Sequence, residues 1–285
     1  MKTTDDMLKI NRVQASFYDS ISDVEDEYSG AGYSEHSAAN LFTRVWANLR
    51  YRQQRAALLS GVDDLKLKLH YEWLEKYRGG TSLELGCFRG TRFTDPLIEA
   101  SSRYVGIDLS PKAVQALNHK IHEANLQSKA KAISGDFLVF DEGEKFDIIY
   151  AHGVLHHFEN PQPLFQKIST LLSPDGVLIL SEPSQVNPLF AFIRSLYRPF
   201  QSDKDWEWPF TNKTVATMEN YLDPLEGFGW GRNTLFLSVL VSLPLLGRLL
   251  LPFYLRMVRS EIKSGWHSKV WHNSTVVAIY KLKSN

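Results

Sequence analysis

Leu83-Glu84-Leu85-Gly86-Cys87-Phe88-Arg89-Gly90 is the stretch on which the fold of this chain turns. Thr81 to Leu85 is an apolar run of strand length, and two glycines follow it before the next amphipathic segment. A glycine-containing turn between a parallel strand and its helix lets backbone N–H groups approach a ligand at the carboxyl edge of a sheet. By itself the pattern is weak, because any strand-to-helix turn can hold two glycines.

The residues downstream give it meaning. Val105-Gly106-Ile107-Asp108-Leu109-Ser110 ends a second strand on an acid, close to the ~20-residue offset at which a carboxylate meets a ribose hydroxyl pair. Ser110 already supplies an N-cap, with Pro111 at the first helical position, so Asp108 is not needed for capping. Ser134-Gly135-Asp136-Phe137 closes a third strand with an acid and an apolar residue, a pair suited to an adenine amino group and the face of the base. Together these stretches point to an adenosine-containing cofactor. A nicotinamide dinucleotide is disfavoured, because it calls for Gly-x-Gly-x-x-Gly where the chain has Gly86-x-x-x-Gly90.

Outward from this centre, strands are expected at 81–85, 103–108, 130–134, 146–151, 176–182 and 275–282. The last alternates as an edge strand does. Val114, Leu117 and Ile121, then Leu164, Ile168, Leu171 and Leu172, mark helices between strands, and Ser173-Pro174-Asp175-Gly176 is a turn. The alternation predicts an α/β fold with a Rossmann-like, mostly parallel, seven-stranded sheet and helices on both faces. Four segments are expected: an N-terminal helical cap (1–80), a cofactor-binding core (81–183), an aromatic helical lid (184–228), and C-terminal strands (229–285) with an apolar helical insertion at about 235–265. In the cap, Ala38, Leu41, Phe42, Val45, Trp46 and Leu49 predict one helix, and Leu67, Tyr71 and Leu74 another that ends at Gly79-Gly80.

In their order and spacing, these motifs resemble the class I S-adenosylmethionine-dependent methyltransferases, over about residues 80–185. Phe146-Asp147-Ile148-Ile149-Tyr150-Ala151-His152-Gly153-Val154-Leu155-His156-His157 and Leu172-Ser173-Pro174-Asp175-Gly176-Val177-Leu178 are part of the resemblance. It implies S-adenosyl-L-methionine as cofactor and methyl transfer as the activity. Glu84, Gly86, Cys87, Phe88 and Gly90 would hold the methionine part, Asp108 the ribose, and Leu109, Asp136 and Phe137 the adenine. Ala151 and His152 would face the sulfonium. The family usually has glycine where Phe88 stands, so Phe88 is expected to keep an ordinary backbone conformation or the loop to shift.

Displacement at a sulfonium chiefly requires donor and acceptor to be held in line, with a general base when the acceptor is a hydroxyl. His152, His157 and Glu182 are the candidate catalytic residues, histidine because it titrates near neutral pH. His152 and its neighbours are equally readable as cofactor contacts. Adjacent His156 and His157 are expected to point different ways. No metal is expected, since the histidines lack carboxylates at ligand spacing.

The 285 residues carry no net charge, which disfavours nucleic acid as a partner. A single cysteine, Cys87, excludes an intrachain disulfide, and a polar, acidic Met1–Ile10 without a signal-peptide core leads to an expected cytoplasmic location. Phe17-Tyr18-Asp19 and the aromatic set Tyr197, Phe200, Trp206, Trp208 and Phe210 are candidates to close the site. The aliphatic 235–258 stretch, broken by Pro244, Arg248 and Pro252, is read as covering a lipophilic pocket, ahead of an interfacial helix on a membrane or a homodimer surface. The expected reaction is methylation, most naturally at oxygen, of a small hydrophobic acceptor. The alternative is a non-catalytic methyltransferase-fold protein that binds a partner or a membrane surface.

Overall fold

Five apolar runs, spaced by helices except between the third and fourth, form the parallel part of one sheet: β1 (Thr81–Leu85), β2 (Arg103–Asp108), β3 (Ala130–Ser134), β4 (Phe146–His152) and β5 (Leu172–Pro183). β6 (Leu222–Trp230) and β7 (Thr275–Leu282) complete a seven-stranded sheet of order β3-β2-β1-β4-β5-β7-β6. All pairings are parallel except those of β7, which runs antiparallel to both β5 and β6. The chain reverses direction across the sheet between β1 and β4, the switch point at which open α/β sheets bind ligands. The computed structural model describes residues 4–21, 58, 61–200, 205–241 and 244–283, so the helix expected from Ala38 to Leu49 lies outside the described residues.

Local rules set the helices around this sheet. They are α1 (Thr4–Ile21), α2 (Val62–Lys76), α3 (Thr94–Ala100), α4 (Pro111–Glu123), α5 (Pro161–Leu171), α6 (Pro188–Tyr197), α7 (Asn212–Glu219), α8 (Thr234–Val241) and α9 (Pro244–Lys263). Ser110 caps α4 through its side chain, which accepts from Ala113 N at 3.1 Å; Asn160 and Asn187 cap α5 and α6 in the same way, each followed by proline. Trp73, Leu97, Leu117, Ile121, Tyr254 and Val258 bury one face of the sheet, drawn from α2, α3, α4 and α9. Leu164, Phe165, Ile168 and Met218, from α5 and α7, bury the other.

Three expectations change. β7 is an inner strand with five consecutive buried residues, and β6 takes the edge. β6 carries Pro224, Gly227 and Gly229, weak strand formers that an edge tolerates, so its sequence does not read as a strand; it also spans the boundary expected at 228/229. β5 starts at Leu172, and the 173–176 turn lies inside it, where pairing with β4 shifts register between Phe146 and Ile148. The apolar insertion is the helix pair α8–α9 between β6 and β7. Buried Glu261 of α9 accepts from the N–H groups of Gly231, Asn233 and Thr234 and from the Thr234 hydroxyl, which caps α8 and ties the pair to the end of β6. No helix of the described residues is long and apolar enough to cross a membrane.

Candidate functional site

The carboxyl ends of β1, β2 and β3 lie side by side, and each supplies an acid. Glu84, fully buried in β1, accepts O–H bonds from Thr91 (2.9 Å), Thr94 (2.8 Å) and Tyr104 (2.7 Å). Its carboxylate therefore holds the 86–94 loop in place and does not face outward. Burial pushes its pKa up to about 7 against the pull of these three donors. Gly86 (φ 68) and Gly90 (φ 94) both take the left-handed region. A Cβ at Gly86 would come within 2.8 Å of Val154, so this glycine also seats the loop after β4.

Phe88 corrects an expectation. It sits at φ 47, in the left-handed conformation that the family's glycine would adopt, at a cost on the order of 1 kcal/mol. What holds it there is a hydrogen bond from its own N–H to Asp108 Oδ2 at 3.0 Å. Asp108 Oδ1 accepts from Ser110 N at 2.9 Å, and burial raises the Asp108 pKa against these backbone bonds. Asp136 accepts from Leu138 N through Oδ1 and from Asn11 of α1 through Oδ2 at 2.8 Å. Each of these oxygens retains acceptor capacity for a ligand hydroxyl or amine, so the donor set of a nucleoside fits the site. Leu109 is half-exposed beside Asp108. Cys87, Phe137 and Ala151 do not present side chains to this edge. Cys87 is buried against Gly106, and Phe137 and Ala151 belong to the core.

α1 lies across these strand ends. Besides Asn11, it offers Asp19, which accepts from the Ser110 hydroxyl and from Lys112 N, and Tyr18, whose hydroxyl is 3.3 Å from His157 Nε2. Phe17 meets Trp206 at a ring separation of 5.6 Å, and Tyr18 meets Phe88 at 6.1 Å. Of the aromatic positions picked out in the sequence, Phe17, Tyr18 and Trp206 thus meet at the site, whereas Phe210 is buried in the core, stacked on Trp271 at 4.9 Å.

The candidate catalytic residues divide. Glu182 is fully buried at the end of β5; Oε1 accepts from Val154 N (3.0 Å) and Leu155 N (2.8 Å), and Oε2 meets His156 Nδ1 at 2.7 Å. It fastens the loop after β4. His156 and His157 stand on a 3-10 turn (Leu155–His157) that brings their rings within 4.3 Å, contrary to the divergence expected of a helix or strand. Burial opposes charge on His156, but Glu182 and then Glu207 outweigh it and raise its pKa to about 9. Glu207, paired with Arg194 at 2.9 Å, is pulled well below the usual carboxylate range by His156 and Arg194, against its burial. Burial and the neighbouring His156 drive His157 down to about 3, and its Nδ1–H donates to Trp206 O.

His152, the last residue of β4, has a partner that sequence reading missed. Lys66 of α2 donates from Nζ to His152 Nε2. Burial, then Lys66, keep the imidazole neutral. Burial, reinforced by Arg92, lowers Lys66 to about 8. Asp63, Lys66 and His70 recur at helical spacing on α2, and His70 meets Tyr150 OH at 2.9 Å. That polar stripe in an otherwise sheet-packing helix was the available signal.

Residues 83–178 match the family model of the methyltransferase domain. The ubiquinone biosynthesis O-methyltransferase of Bordetella avium is 24% identical over 142 residues, covering 49% of this chain and 58% of that protein. The demethylmenaquinone methyltransferase of Lactobacillus johnsonii is 26% identical over 159 residues, 54% of this chain and 64% of that one. The chain thus spans less than two thirds of the length of these curated relatives. Among solved structures, N-methyltransferase NodS from Bradyrhizobium japonicum, in complex with S-adenosyl-L-homocysteine, aligns with a TM-score of 0.51 at 15% identity over 95% of this chain and 98% of that one. The cyclopropane synthase MmaA2 from Mycobacterium tuberculosis gives 0.53 at 15% identity over 77% and 83%. Strand order, strand-end acids and the match to the methyltransferase-domain model thus coincide on residues 83–178, and the chain has the Rossmann-like methyltransferase fold.

Proposed function

We propose that the chain transfers the methyl group of S-adenosylmethionine to an oxygen of a small, hydrophobic organic acceptor. The observation that carries this reading is the pair of strand-end carboxylates, Asp108 and Asp136, on adjacent strands within the matched 83–178 stretch. When bound, S-adenosylmethionine supplies a methyl group on a sulfonium that is already an activated leaving group. Asp108 accepts from ribose hydroxyls and Leu109 lies on the adenine, while Asp136 takes the adenine amine. The left-handed Gly86–Gly90 turn presents backbone to the methionine end. α1, held by Asn11, Tyr18 and Asp19, keeps water from the site.

On the acceptor side, the proton-accepting role falls to the Lys66–His152 pair, and His157 and Glu182 position the surrounding loops. With a pKa of about 8, Lys66 is partly free amine near neutrality and can take a hydroxyl proton, while His152 Nε2 holds its Nζ at the end of β4. The name of the ubiquinone biosynthesis O-methyltransferase supports oxygen as the methylated atom, and both quinone names support an apolar acceptor. α6 supports the same choice, because it follows β5 directly and turns Leu189, Phe192 and Leu196 outward.

Calorimetry with S-adenosylhomocysteine tests the reading. The wild-type chain should bind it, and Asp108→Asn should weaken binding roughly 10- to 100-fold, as expected for a lost hydrogen bond to a charged group. No binding by the wild type overturns the proposal.

A further inference from the structure

The outer face of α9 is not used by anything described above. Gly247, Tyr254, Val258 and Glu261 point inward. On the opposite side Leu246 (44% exposed), Leu249 (79%) and Phe253 (55%) recur at helical spacing and continue into Arg256, Ser260 and Lys263. Arg248 and Arg259 flank the stripe and are exposed as well. The helix's acid, Glu261, is buried in the α8 cap, so its outer surface is apolar and cationic with no carboxylate of its own. Among the described residues no ion pair joins these four cations to an acid. A groove of about 770 Å³ runs along the cationic half, lined by Pro252, Phe253, Arg256, Arg259, Ser260 and Lys263.

We infer that α9 is an interfacial helix that docks the protein onto an anionic lipid surface, with Leu246, Leu249 and Phe253 entering the acyl boundary and the four cations meeting headgroups. Two facts favour this occupant. α9 cannot span a bilayer, but an exposed apolar stripe bordered by cations is the pattern of a helix lying in the interface. A second copy of the chain is a poor occupant, because an isologous contact would bring cations against cations or bury them on leucines with no carboxylate to pair. α9 also packs on β6 and α2, and α2 carries Lys66, so the docked face lies behind the helix that reaches the acceptor side. The inference does not depend on the proposed reaction.

Flotation of the full chain with phosphatidylcholine vesicles, with and without phosphatidylserine, reads it directly. The wild type should float with the anionic vesicles and much less with phosphatidylcholine alone. Arg256→Glu/Arg259→Glu/Lys263→Glu should weaken binding by roughly a hundredfold or more, from three lost cationic contacts. Leu249→Ser/Phe253→Ser should also prevent flotation, and both variants should keep the wild-type circular dichroism and wild-type affinity for S-adenosylhomocysteine. A wild type that stays unbound overturns the inference, as does flotation unchanged in both variants. A dimer in sedimentation that Leu249→Ser/Phe253→Ser dissociates, with no flotation, overturns it in favour of contact between copies. If S-adenosylhomocysteine does not bind while flotation behaves as expected, the reaction assignment fails and the docking surface stands.

Discussion

Replacing His156 by glutamine should remove a specific band of pH dependence from the stability of this protein. His156 lies between Glu182, fully buried and 2.7 Å from its Nδ1, and the half-buried Glu207, 3.8 Å from its Nε2. Folding raises its pKa from the ordinary 6.5 to about 9, because the two acids outweigh the cost of burying the charge. The folded state therefore holds a proton that the unfolded chain has released once the pH exceeds 6.5. Stability from this group is fully present below pH 6.5 and is lost as the pH rises through about 9. At about 1.4 kcal/mol per unit, the shift corresponds to about 3 kcal/mol. Lys66 works in the opposite direction, adding stability as pH rises from about 8 towards its ordinary 10.5, so the wild-type curve alone mixes the two. The difference between wild type and His156→Gln isolates the histidine. Urea unfolding followed by tryptophan fluorescence at closely spaced pH values should show the wild-type advantage shrinking by about 3 kcal/mol between pH 6.5 and 9. Parallel curves for the two proteins across that window would refute the ion-cluster account of the loop after β4.

Three further outcomes follow from the geometry. Gly86→Ala places a Cβ 2.8 Å from Val154 at a φ of 68, and should destabilise by about 2 kcal/mol or more. Gly79→Ala, at φ 87 with open space around it, should cost only about 1 kcal/mol in the same urea titration, which separates strain from collision. Lys66→Met should let the His152 imidazole titrate at a higher pH by removing the neighbouring cation, as read from its ring proton shifts by NMR. An unmoved His152 resonance would show that the two side chains do not interact in solution.

Much of the core was legible because its signals are local. Ser110-Pro111 starts α4 and Asn160-Pro161 starts α5 through contacts within one turn, and the apolar runs at 81–85, 103–108 and 130–134 form strands where their composition indicates. Asp108 could be found because a strand end followed by a helix start leaves one position at the sheet's edge, and Asp136 because it stands in the turn that closes the neighbouring strand. β6 was invisible for the opposite reason. Pro224, Gly227 and Gly229 carry no strand signal, and the segment is extended because β7 offers it a partner.

The amino-acid order by itself determined the class of fold, the strand-end acids and the helical insertion, since each rests on periodicity, capping or turn chemistry between near neighbours. Tertiary structure decided what those residues do. Phe88 takes a glycine's conformation because Asp108, twenty positions away, accepts its N–H. Glu182 and Glu84 are consumed as internal fasteners, since the loops that fold over them supply donors that no sequence spacing reveals. Lys66 reaches His152 across 86 positions of chain. A buried charge takes its role from whatever folding brings within hydrogen-bond reach, and that proximity exists only once the sheet has assembled.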